Sequence, residues 1–434
     1  MGNPREEQCQ TTSTVSSDVG KHKITSLQKS HYMSFIEELA LIGICTYYFF
    51  PISVQYIRFI GFLFLFFTWL LCTMPRGSLS FPATLVTILF SWIVLLIIFS
   101  MLGTTSQQSM SNVFESCYVT LMFFIPGFIY LYYLRDNNKY AINLVKNISL
   151  IYLVCGIFNT LLVLFYYPDA SRVLASSSET SNYYSHLGAG SFGYIYAIVL
   201  VIPCIANIVI SKNKNRFLYI ILLILSCLLV IKSLYTIALL FMICGLVMTF
   251  FLRKNWQIFL LFVFFMIVFV FMDKQFWGAL LVQISNLFSE HSMFRNKFLD
   301  ASIYFLLGTF GRSSEDRIMR YAESINAIRL SPIFGELTSG VFGGGHTSWL
   351  DLYASYGVFS ILPIGAQVIL QRSILKCIDV NSKRIYAYQI ILFWVLGVVN
   401  PIHLQSAVGY VMYLLTPSLL SNNTKNVEIN SNKI

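Results

Sequence analysis

From Phe35 onward the chain is a succession of apolar runs, each about as long as a bilayer-crossing helix and broken by a few polar residues. A helix needs about 20 mostly apolar residues to cross the hydrocarbon core. In lipid every backbone polar group must be bonded internally, so such runs fold as helices or not at all. Spans are expected near 35–52, 57–74, 83–102, 117–134, 142–166, 190–211, 217–232, 235–252, 255–272, 349–371, 385–402 and 405–420. Only 11% of residues are charged and 56% are hydrophobic, against roughly 25% charged in a soluble domain. The fold expected is therefore an all-α polytopic integral membrane protein of about twelve transmembrane helices.

Lys and Arg set the orientation. With both termini inside, the inner segments hold Arg5, Lys21, Lys23, Lys29, Arg76, Arg135, Lys139, Lys146, Lys212, Lys214, Arg216, Arg253, Lys254, Arg372, Lys376, Lys383, Arg384, Lys425 and Lys433. The short outer segments hold only Arg58, Arg172 and Lys232. The same asymmetry requires the apolar stretch to break at Lys232, because fusing the runs on either side would invert everything downstream. It also accounts for most of the net charge of +10, so no nucleic-acid partner is inferred. Residues 1–34 and 421–434 read as cytoplasmic tails flanking one integral domain, 35–420. The polar start of the chain shows no apolar core followed by a small-residue cleavage site, so no cleaved signal peptide is expected.

Two outer loops carry polar chemistry. The first, about 167–189, is rich in Ser, Asn and Tyr, which suits sugar binding and equally suits plain solvation. The second, 273–348, is too long to be structureless without a function. Phe276, Trp277, Leu280, Leu281, Ile284, Leu287 and Phe288 repeat at helical spacing and predict an amphipathic helix on the outer leaflet. Phe298 to Phe310 predicts a second interfacial or re-entrant helix. A third is expected from a cap at Ser313 or Ser314 to about Leu330, stopping before Pro332, with Ile318, Tyr321, Ile325 and Ile328 as its apolar stripe. Arg317 falls at the edge of that stripe, in line with Tyr321, Ser324 and Ile328, whereas Arg320 falls towards water.

Arginine makes forked hydrogen bonds to phosphate oxygens, so outer arginines suit a diphosphate headgroup; the bland reading is a loop balanced by Glu315, Asp316, Glu323 and Glu336. His346 follows Gly343-Gly344-Gly345 and opens a span. It suits a general base for a sugar hydroxyl, and equally an interfacial His capping the span. For His186, His291 and His403 the bland reading is favoured. Lys232 either snorkels to headgroups or enters a cavity. Asp351, one turn into a span, reads as the clear intramembrane acid, with His346 or Arg317 as its candidate partner. The nine Cys form no CxxC and no Cys/His group with zinc spacing, so neither a disulfide framework nor a metal site is expected. Neither Gly188-Ala189-Gly190 nor the later glycine run follows a strand or leads into Gly-Lys-Ser/Thr, which argues against ATP-driven transport.

Arg317-Ile-Met-Arg-Tyr321, then Ile325, Ile328 and Ser331-Pro-Ile-Phe-Gly335, then a glycine-rich stretch, His346 and Trp349-Leu350 together resemble the Wzy/WaaL superfamily of bacterial O-antigen polymerases and ligases. The close match covers Arg317 to about Leu350. Three positions depart from the family pattern: Thr347 stands where Asn is usual, Gly335-Glu336-Leu337 lacks a second Gly, and Lys232-Ser233 is the nearest counterpart of a Ser-Arg pair. Arg329 to Gly340 fits an Arg-x10-Gly spacing described for some polymerases.

The resemblance implies a cofactor-free, metal-independent glycosyltransferase of the GT-C type with a large periplasmic loop in the bacterial inner membrane. It would join undecaprenyl-diphosphate-linked O units, with a flippase and a chain-length regulator as partners. His346 and Arg317 would be catalytic; Lys232, Arg172, Arg320, Arg329, Asp351 and Tyr321 would bind diphosphate or sugar. The alternatives are an O-antigen ligase, which moves the finished chain to lipid A-core, and a lipid-linked oligosaccharide flippase. A flippase would more often show paired halves and broken midplane helices; here the charge gathers in one loop.

Overall fold

The computed structural model describes residues 33–51, 53–74, 83–102, 110–174, 179–211, 216–250, 274–287, 293–307, 312–335 and 345–421. Most of both tails, the span expected at 255–272, and the Glu336–Gly344 part of the large loop lie outside the described residues. Among those described there is no strand. Helices run in the order α1 Phe35–Phe49, α2 Ser53–Thr73, α3 Ala83–Leu102, α4 Met110–Arg135, α5 Lys139–Tyr166, α6 Ala170–Val173, α7 Glu179–His186, α8 Phe192–Ile210, α9 Arg216–Lys232 and α10 Thr236–Phe250. Then come α11 Lys274–Asn286, α12 Met293–Leu307, α13 Arg312–Leu330, α14 Ser348–Tyr356, α15 Ile361–Cys377, α16 Val380–Val399, α17 Ser406–Tyr410 and α18 Thr416–Leu420. A π turn, Val411–Leu415, joins the last two.

Among the described residues five helices are long and apolar enough to cross a membrane: Ser116–Arg135, Lys139–Tyr166, Phe192–Ile210, Ser348–Cys377 and Ser382–Val399. Ile60–Thr73, Ala83–Ile98, Thr236–Phe250 and Ser406–Leu420 are shorter apolar helices. The chain does break after Lys232, where Leu234 takes a left-handed φ of 60° between α9 and α10.

Helix α8 is the centre. It carries no charge, and 89% of its apolar window is buried, against 39% for the window in α5. Helices α9, α10, α16 and α17 pack around it. Helices in lipid gain no hydrophobic drive from one another and rely on close packing and hydrogen bonds. Both are present here. Gly245 of α10 lets the Pro203 ring of α8 come so near that a Cβ would sit 2.9 Å from it. Tyr48 donates to the Met122 carbonyl at 2.6 Å, Gln389 to Thr416 at 2.9 Å, and Trp394 to the Gln371 side-chain oxygen at 2.9 Å.

A second buried acid joins the Asp351 picked out from the sequence. Glu37, in the first turn of α1, is fully buried and accepts from the Tyr133 hydroxyl at 2.9 Å, which in turn accepts from the Trp69 indole at 2.8 Å. The sequence hides it because a Glu beside a second Glu at a span start reads as interfacial.

Three expectations for the large loop are corrected. Helix α13 begins at Arg312, so Ser313 and Ser314 lie within its first turn instead of capping it; it ends at Leu330, ahead of Pro332, as expected. Among its described side chains the buried ones are Ser324 and Ala327, while Ile318 and Ile325 are exposed. The packed stripe is therefore small and polar, because the neighbouring backbone approaches closely. The second loop helix starts at Met293, five residues earlier than expected, and pairs with α11, with Leu306 against Gly278.

The span expected over 349–371 is interrupted by a 3₁₀ turn, Gly357–Ser360. The turn after α13 causes it. The Val358 amide donates to the Ile333 carbonyl at 3.2 Å. Gly335 (φ 62°) and Gly357 (φ 55°) face this contact, where a Cβ would lie 2.5 Å from the Ser355 backbone and 2.1 Å from the Ile333 oxygen. A left-handed φ costs a non-glycine residue roughly 1–2 kcal/mol, and overpacking adds roughly 1–3 kcal/mol. Gly335→Ala and Gly357→Ala should each lower the unfolding temperature in detergent by several degrees. Gly365→Ala, where a Cβ meets nothing within 4 Å, should leave it unchanged or higher.

Candidate functional site

The start of α14 is fastened on two sides. Thr347 caps the helix: its hydroxyl accepts from the Asp351 amide at 3.3 Å, and its own amide donates to Asp351 Oδ2 at 2.6 Å. Threonine is among the residues suited to a helix N-cap. The other carboxylate oxygen, Oδ1, accepts from the Ser324 hydroxyl of α13 at 2.6 Å. Asp351 is buried and accepts from the Ser324 hydroxyl and the Thr347 amide. On the opposite side, Ser348 Oγ donates to the Asn400 carbonyl at 2.8 Å and accepts from the Ile402 and His403 amides at 2.8 and 3.0 Å. Trp349 stacks on Trp394 with centroids 4.4 Å apart and donates to its carbonyl at 2.9 Å.

These bonds join three segments: α13, the turn that opens α14, and the 400–405 connection. His346 directly precedes the cap and is half-buried. Gly345 beside it has a φ of 69°, and a Cβ there would meet nothing within 4 Å, so the backbone is open on that side. Arg317 sits in α13, the helix whose Ser324 meets Asp351, seven residues before that serine; its side chain lies outside the described residues. Tyr321 is half-buried; Arg320 and Arg329 are exposed.

His403 is what the sequence reading missed. A lone His at a span end is usually unremarkable, and the only hint was its place after Asn400-Pro401. Its Nδ1 is buried without a hydrogen-bond partner, its ring lies 6.5 Å from Trp349, and most of it is enclosed. Burial pushes the imidazole down to about 4, with Asp351 partly opposing. His403 is thus neutral near pH 7 and offers an acceptor or donor, not a charge. Because its folded pKa lies below the unfolded value near 6.5, the unfolded chain binds the extra proton between those limits. Stability should be greatest above about pH 6.5 and fall by up to about 3 kcal/mol as pH drops towards 4. Thermal unfolding in detergent across that range checks this; His403→Gln should flatten the profile.

A second group forms around the first outer loop. Arg172 has a buried Nη1 without a hydrogen-bond partner. It lies within electrostatic reach of Tyr235, whose hydroxyl donates to the Ser171 carbonyl at 2.7 Å. Ser171 Oγ donates to the Gly190 carbonyl at 2.8 Å, and the Gly190 amide to Thr160 Oγ1 at 3.0 Å. Three residues on, Gly193 packs against the Gln405 amide oxygen. So the 188–193 segment links the Arg172 group to the 400–405 connection, which holds His403.

Lys232 lies three residues before Tyr235, which bonds the Ser171 carbonyl. It is exposed at the end of a groove of about 280 Å³ between α5 and α9, walled by Phe158, Leu161, Leu162, Phe165, Leu225 and Leu228. That is a cation at the mouth of an almost wholly apolar channel. Among the described residues no three His, Cys, Asp or Glu side chains gather in one place. Comparison of the chain with protein-family models, with curated proteins and with solved structures finds no match.

Proposed function

We propose that this chain is a polyprenyl-diphosphate-linked oligosaccharide polymerase of the O-antigen type, embedded in the bacterial inner membrane with its site towards the periplasm. Its twelve spans would be the helices described plus 255–272, and 273–348 would be the large periplasmic loop. The observation that carries the reading is the Asp351 carboxylate, which ties the helix bearing Arg317 to the turn bearing His346. A diphosphate leaving group needs charge stabilisation more than protonation, and arginine supplies it. An acceptor hydroxyl of one repeat unit attacks the anomeric carbon of the growing chain and loses its proton to His346. The carbon–oxygen bond to undecaprenyl diphosphate breaks, the diphosphate keeps the electron pair, and the anomeric configuration inverts. The groove below Lys232 supports a substrate with a long apolar tail.

The test is purified protein in vesicles given synthetic undecaprenyl-diphosphate repeat units. Long chains should form without added metal and persist in EDTA. Activity that EDTA removes and Mg²⁺ restores would overturn the metal-independent mechanism; transfer of chains only to lipid A-core would overturn polymerase in favour of ligase.

A further inference from the structure

At the end of the bundle opposite Lys232 lies a pocket that the polymerase reading leaves unused. It has a volume of about 230 Å³ and is lined by Leu134 and Asn137, by Lys139, Ile142 and Asn143 of α5, and by Cys377 and Ser421. The pocket is half polar. Its polar lining residues are Asn137, Asn143, Ser421 and Lys139, beside the apolar Leu134 and Ile142. Cations gather near it from four helices: Arg135 closes α4, Lys139 opens α5, Lys376 lies in the last turn of α15 and Lys383 in the first turn of α16. The Cys377 thiol, on the pocket wall, feels the charges of Arg135, Lys376 and Lys383. Lys146 occupies the same face of α5 as Lys139, two turns deeper. Asp136 and Asp379 lie in the adjoining turns and offset part of this charge without cancelling it.

We propose that this pocket binds the phosphate of an anionic phospholipid of the adjoining leaflet, cardiolipin or phosphatidylglycerol. Basic pockets between membrane helices on the cytoplasmic side hold such headgroups. The sidedness rests on the topology read above; the binding chemistry does not. The volume is below the roughly 300–1,000 Å³ that encloses a drug-sized ligand. It therefore suits a phosphodiester and its linker, not a nucleotide. Asn137, Asn143 and Ser421 can donate to phosphate oxygens, and Lys139 and Lys376 supply charge. The acyl chains would leave sideways into the bilayer, as a pocket at a helix end allows.

The experiment is native mass spectrometry of the full chain in detergent, titrated in parallel with cardiolipin, phosphatidylglycerol, phosphatidylcholine and inorganic phosphate. Both anionic lipids should be retained several-fold more than phosphatidylcholine. A cation near an anionic headgroup is worth roughly a fivefold change, so Lys139→Ala with Lys376→Ala should cut retention more than tenfold. The Lys139→Arg, Lys376→Arg pair should retain it, which separates lost charge from lost folding. Arg216→Ala, at an exposed cation outside the pocket, should change nothing. Equal retention by the double alanine variant would overturn the proposal, as would equal retention of phosphatidylcholine. Inorganic phosphate displacing the lipids at millimolar concentration would show a soluble-anion site and overturn the lipid. None of these readouts depends on polymerase activity, so they stand or fall separately from it.

Discussion

Arg317→Ala abolishes long chains at an undiminished protein level, and Arg317→Lys does nearly the same. That is the first expected result. In the proposed reaction, negative charge develops on the diphosphate as it leaves, and a donor placed where charge develops typically contributes about 10²–10³ in turnover. Lysine keeps the charge and loses the planar fork that grips two oxygens at once. The position of Arg317 is what separates it from its neighbours. It lies two turns before Ser324 in α13, the helix tied to Asp351. Arg320 and Arg329 are exposed, so Arg320→Ala and Arg329→Ala should cost less than about threefold, as contacts in water do. Normal sugar ladders from Arg317→Ala would remove this residue from the site. Ser324→Ala offers an intermediate case: it takes away one carboxylate partner and should reduce activity less than Arg317→Ala does, through a looser α13.

The helical architecture was legible because lipid leaves the backbone few options. Apolar runs, Lys232 and Pro332 located the elements and their breaks with little help from tertiary structure. What could not be read was set by contacts between distant segments. The 3₁₀ turn at Gly357 arises from a backbone approach by Ile333, and nothing local to Gly357 announces it. The face of α13 was misjudged for a related reason. Periodicity placed isoleucines inside, whereas the close approach of α14 selects Ser324 and Ala327.

The candidate site was legible in its parts and not in its connections. His346, Asp351 and Arg317 were all singled out from residue type and place in the chain. That Asp351 is joined to Ser324 and the Thr347 amide could not be read, since it depends on how α13 returns over the start of α14. Arg172 stood out as a rare outer cation, yet its unbonded buried Nη1 follows from the packing of Ser171 beneath Gly190 and Tyr235. For His403 the bland reading was favoured; its neighbours are Trp349 and Asp351, about fifty residues earlier.

His346→Ala and His346→Gln should both cut turnover by about 10²–10⁴-fold, the usual contribution of a general base, while binding of the lipid-linked substrate survives. The attacking hydroxyl must lose its proton as the new glycosidic bond forms, and a neutral imidazole can take it. His346 sits just outside the Thr347 cap, beside the open backbone at Gly345, where a substrate can approach. His403 is a less apt base, because burial holds its pKa near 4 and a base that weak takes a proton poorly near neutral pH. The two histidines therefore make opposite predictions. Gln in place of His403 keeps a neutral hydrogen-bonding side chain of similar size and should retain most activity. Gln in place of His346 keeps polarity but cannot accept the proton, and should be as inactive as Ala. If His346 merely anchored the turn, glutamine would restore the rate. A near-normal rate from His346→Gln would eliminate the base and leave the arginines to act alone. The pH profile gives a further check: the rate should rise with pH through the imidazole pKa in the parent chain, and that step should vanish from the residual activity of His346→Gln.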